Sequence, residues 1–96
     1  MITNPLSAWM LTWQQYRPQH GPRRAWHTLL LAHKLGALPW LVSVERDVMI
    51  YRLHPAGAER SISRASFVRQ FRRLRARVRA ADVNDATNHP HSSRAN

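Results

Sequence analysis

The sequence predicts a small α+β domain in the order α-α-β-β-α, with three helices packed on a β-hairpin and a disordered polar tail. Three observations lead there. Apolar residues recur at helical spacing from Leu6 to Tyr16, from Trp26 to Leu35 and from Phe67 to Val78. Between Trp40 and Leu53 the period shortens to two and β-branched residues become frequent. The 96-residue length fits one domain, residues 1–81, and residues 82–96 are too polar to bury anything.

The first helix opens at Asn4-Pro5, an N-cap residue followed by a residue whose missing N–H costs nothing in the first turn. Leu6, Trp9, Met10, Trp13 and Tyr16 share a face, and Pro18 ends the run. The segment from Pro18 to Pro22 reads as a stiff turn, and Pro22 opens the second helix. There Trp26, Leu29, Leu30 and His33 lie along one side, and Leu31 and Leu35 widen the apolar arc. That width marks the second helix as the central, most covered one. Gly36 stands where a helix commonly ends in a left-handed residue.

The strands Trp40–Val44 and Val48–Leu53 flank Glu45-Arg46-Asp47. Pairing Val44 with Met49, Val42 with Tyr51 and Trp40 with Leu53 gathers six apolar residues on one face. Leu41, Ser43, Ile50 and Arg52 fall on the other. Arg-Asp lacks the left-handed preference of a two-residue hairpin turn, so a longer loop in the same register is expected. The segment from His54 to Gly57 is the exit turn, and Ser61 or Ser63 caps a third helix running to about Ala81. Residues 73–80 also alternate as a strand would. Helix is the better reading, because Arg, Ala and Leu favour it and Phe67, Phe71, Leu74 and Val78 follow the longer period.

Charge is the functional signal. The net charge is +10, from 15 basic and 5 acidic residues, and 14 of the 15 cations are arginine. A GC-rich genome accounts for arginine over lysine but not for its placement. From Arg60 to Ala81 there are eight arginines, no lysine and no acid. Like-charged pairs three or four apart cost about 0.2–0.5 kcal/mol each, whereas burying each apolar side chain of the helix stabilises by roughly 1.5–3 kcal/mol. The helix can therefore fold unaided, and a polyanion would relieve the remaining repulsion. Arg69, Arg72, Arg73, Arg75, Arg77 and Arg79 are the candidate phosphate contacts, with Arg64, Arg23 and Arg24 able to extend the patch. The expectation is a non-enzymatic nucleic-acid-binding or regulatory protein acting on DNA or RNA. The alternative is a small adaptor or inhibitor, of the mobile-element kind, that docks the same helix on an acidic protein surface.

Other classes have less behind them. The absence of cysteine removes disulfides, thiolate metal sites and a thiol nucleophile. With three glycines there is neither a phosphate loop nor a nucleophile elbow. None of the six histidines forms an i,i+4 pair, so no metal and no cofactor is expected. A helix-turn-helix over residues 5–36 would need a less apolar second helix, and an RNA-recognition sheet would need four strands. Trp9, Trp13, Trp26 and Trp40 are assigned to the core. A metal-free ribonuclease using Arg52, Tyr51 or His54 is the remaining enzymatic reading. No run of about 20 apolar residues occurs and MITNPLSAWM lacks a basic leader, so the expected setting is cytoplasmic, with no membrane partner. A lone hairpin leaves its edges open, which would allow a homodimer to form through it.

Overall fold

The structure, a computed structural model, describes residues 4–87. They form α1 (Pro5–Tyr16), α2 (Pro22–Lys34), β1 (Leu41–Val44), β2 (Val48–Arg52), β3 (Glu59–Ser63) and α3 (Arg64–Thr87). The α+β class holds, with one strand more than the sequence suggested: the sheet is antiparallel in the order β1-β2-β3. The segment Glu59-Arg-Ser-Ile-Ser63 has four polar residues and one isoleucine. A single apolar residue shows no period, so the alternation that identifies a strand is missing. Pairing of Met49 with Ile62 supplies the reason it is a strand, because Ile62 is the one residue of β3 that reaches the core.

The hairpin register holds at its closed end, where Val44 pairs with Met49. It then shifts between Leu41 and Ser43, so that Leu41 rather than Val42 faces Tyr51. Leu41 thereby moves from the predicted open face into the core, where it is buried. A bulge makes this switch, since one extra residue inverts every side chain beyond it. The turn at residues 45–47 uses no left-handed residue, as a loop longer than two permits. With β2 central, only the β1 edge of the hairpin remains for the homodimer read from the sequence, and the bulge bends that edge.

The helix ends form as their residues dictate. Asn4 Oδ1 accepts from the Leu6 and Ser7 amides at 3.0 and 3.3 Å. Gly36 has φ of +69°, and the amides of Gly36 and Ala37 donate to the carbonyls of His33 and Ala32, closing α2 in a Schellman motif. Of the two predicted caps for α3, Ser63 is the one: its Oγ accepts from the Ser66 amide at 3.1 Å, while Ser61 belongs to β3. Helix α3 continues to Thr87, past its expected end near Ala81. The rest of the expected tail, residues 88–96, lies outside the described residues.

Burial narrows the covered arc of α2. Phe67 and Phe71 of α3 are fully buried, with Trp26 edge-on to Phe67 at 5.2 Å. They meet the inner face of α2, where Ala25, Trp26 and Leu29 are buried. Leu31 of α2 and its C-cap Leu35, predicted to widen the covered arc, are instead 47% and 84% exposed. Helix α2 packs on β1 and α3, while α1 rests chiefly on α3, so the helices do not share one sheet face equally. His33 Nε2 lies 2.9 Å from the Val42 carbonyl and ties α2 to the bulged strand. Trp26 is buried, and Trp9, Trp13 and Trp40 pack against the rim of the core.

Candidate nucleic-acid interface

Phe67, Phe71, Leu74 and Val78 define the inner line of α3. Turning about 100° per residue, Arg72, Arg75 and Arg79 fall within about 60° of each other on one flank of that line. Arg69, Arg73 and Arg77 fall within about 80° on the other. Helix α1 lies across α3 between the two flanks. Its N-terminal end, at Asn4 and Ser7, borders a groove with Gln70, Arg73, Leu74 and Arg77. Its C-terminal end, at Gln14, Gln15 and Pro18, borders a cleft of about 420 Å³ with Arg75, Val78 and Arg79.

The predicted cations are not equivalent. Arg69, Arg72, Arg73, Arg77 and Arg79 are exposed. Arg69 Nη2 donates to Ser66 Oγ at 3.0 Å, a surface bond that a phosphate could replace. Arg75 is different: Nη1 donates to the His20 carbonyl at 3.2 Å and Nη2 to the Pro18 carbonyl at 2.6 Å. Its guanidinium fastens α3 to the α1–α2 turn, so Arg75 is a structural clamp that also adds charge to the flank. Arg23 and Arg24 are exposed in the first turn of α2. They follow closely on the turn whose Pro18 and His20 carbonyls Arg75 holds, which brings the start of α2 near that flank. Arg64 begins α3, where its amide donates to the Asp47 carbonyl at 2.7 Å. At ~1.5 Å per residue that is about 16 Å along the helix from Arg75, so Arg64 stands apart at the hairpin end.

No protein-family model, curated protein or solved structure matches this chain. The chemistry therefore has to be read from the residues themselves. The one ion pair seen among the described residues, Arg52 to Glu59 at 3.0 Å, joins neighbouring strands on the sheet, away from α3. Residues Arg64 to Ala81 of the helix include no carboxylate. Tyr51, Arg52 and His54, the ribonuclease candidates, do not converge: Tyr51 points into the core, Arg52 points the opposite way toward Glu59, and His54 is exposed in the exit turn.

Gln14 was not among the predicted site residues. It sits on the inner face of α1, eight and four residues beyond buried Leu6 and Met10, and is 5% exposed. Neither Oε1 nor Nε2 has a hydrogen-bond partner among the described residues. Leaving such atoms unpaired costs about 1–3 kcal/mol each, a large term for a domain of this size. A glutamine within the repeat Leu6, Met10, Gln14 is the signal that could have found it.

Proposed function

We propose that this protein is a non-enzymatic nucleic-acid-binding protein that grips phosphates with the two arginine flanks of α3. One observation supports this above the rest: exposed arginines stand on both flanks of α3 through Arg79, with no carboxylate among residues 64–81 to neutralise them. Guanidinium groups bind phosphate oxygens in pairs and stay charged at any physiological pH. Such contacts hold the backbone whatever its sequence. Arg23 and Arg24 lengthen the track on the Arg72/Arg79 side. The cytoplasm is the compartment we assign to it; no described helix is long and apolar enough to cross a membrane.

Fluorescence anisotropy with labelled DNA and RNA across a salt series tests the reading. Six phosphate contacts give a log–log slope of about −5 on duplex DNA. Replacing Arg72, Arg77 and Arg79 with Gln, and sparing the structural Arg75, is expected to flatten the slope by about three contacts' share. Absence of binding at low salt would overturn the proposal and leave the acidic-protein adaptor as the reading to pursue by pull-down.

A further inference from the structure

We infer that the cleft between the C-terminal end of α1 and α3 receives an unpaired nucleobase, so that the preferred polyanion is single-stranded. This rests on the phosphate-binding reading of α3 and adds to it which form of nucleic acid is bound. The cleft, at about 420 Å³, falls within the roughly 300–1,000 Å³ typical of small-molecule sites. Its lining is sorted by chemistry. Pro18 and Val78 offer apolar surface for the faces of a flat ring, while Gln15 offers an open amide at the rim and Gln14 a buried one in the cleft wall, which a base reaches by displacing the side chains over it. Arg79 and Arg75 supply positive charge for the phosphate attached to it.

Gln14 is the observation that points to a ligand. A side-chain amide offers an acceptor and donors side by side, the arrangement that pairs with a base edge such as N6 and N7 of adenine. Because neither atom of the amide has a partner among the described residues, an entering base displaces no hydrogen bond seen there. Gln15, exposed on the rim, reaches the same space from the solvent side. A base within a duplex has both faces stacked and its pairing edge occupied, and it cannot enter. An unpaired base can, as in single-strand binders that combine a cationic track with base pockets. Arg72 and Arg79, seven residues apart on one flank, then border the backbone on either side of the seated nucleotide, about 10 Å along the helix.

The test compares a labelled 12-nucleotide strand of mixed sequence with the duplex of the same sequence, at one low salt concentration. The strand is expected to bind about tenfold more tightly. Gln14→Leu keeps the volume and removes the amide. It should erase most of that preference while leaving duplex affinity and salt slope as they were. Thermal melts show whether Gln14→Leu is folded, and Gln15→Ala, on the exposed rim, repeats the test without touching the core. Equal affinity for strand and duplex, or an unchanged strand preference in both variants, overturns the base pocket while the phosphate reading stands. Failure of either nucleic acid to bind removes both and directs attention to an acidic protein surface.

Discussion

At the scale of single residues, Arg75 and Arg79 show how neighbouring arginines on one flank divide into different roles. Arg75 is half-buried and donates to two backbone carbonyls across the fold, whereas Arg79 is exposed at the edge of the cleft. Hydrogen bonds from a charged donor contribute roughly 1.5–3 kcal/mol. Arg75→Met is therefore expected to lower stability by about 2 kcal/mol in urea denaturation. Arg79→Gln should stay within about 0.5 kcal/mol of the parent. An equal effect of the two substitutions would mean that the Arg75 clamp contributes nothing in solution. The sequence shows all the arginines of α3 but cannot separate these roles, because the carbonyls that Arg75 meets lie 55 and 57 residues away. Gln14 was open to detection, since it interrupts an otherwise apolar repeat.

Among the elements, those with strong local codes were legible and those formed by distant partners were not. Asn4-Pro5, Pro22, Gly36 and Ser63 each mark a helix boundary through their own backbone chemistry, and each stands where it was expected. Strand β3 and the bulge at Val42 have no such code. The strand exists because β2 needs a partner for Met49 and Tyr51, and the bulge because Leu41 gains burial by taking the place of Val42. The same logic explains why the covered arc of α2 is narrower than its apolar residues suggest. Its wide apolar arc says how much surface could be covered, and only the placement of the other elements determines that Leu35 is left exposed. Gly36 allows a clean check of a local code. A Cβ built there meets nothing within 4 Å, so the whole cost of Gly36→Ala is the left-handed backbone at φ of +69°. Thermal or chemical unfolding should report a loss of about 1–2 kcal/mol; no loss would mean that α2 ends differently in solution.

Viewed whole, the molecule sets a small core against an unneutralised surface. Eleven buried apolar residues, drawn from every element, hold the fold. Past Leu74, only Arg75 and Val78 of α3 are partly covered through Ala81, and the helix presents arginine on both sides. A net charge of +10 on so small a core favours a partner that supplies negative charge and is screened by salt. Sequence alone suggested this balance, because charge segregation needs no knowledge of the fold. Folding was needed to show that α1 divides the arginines into two tracks and leaves a cleft at one crossing.

The Arg75 clamp also has a bearing on the order of events as the chain folds. It closes a loop of more than fifty residues, and long loops are costly to close before the segments between them are in place. The helix turns and the β2–β3 pairing are local and can form first; docking of the α1–α2 turn against α3 then comes late. A contact made after the barrier affects escape from the native state more than arrival at it. In stopped-flow measurements, Arg75→Met should accelerate unfolding by roughly tenfold for each 1.4 kcal/mol lost, with little change in the refolding rate. Slower refolding with unchanged unfolding would place this clamp among the first contacts instead. With the first outcome, one arginine sets how long the α1–α2 turn stays docked on α3, a kinetic duty separate from its charge.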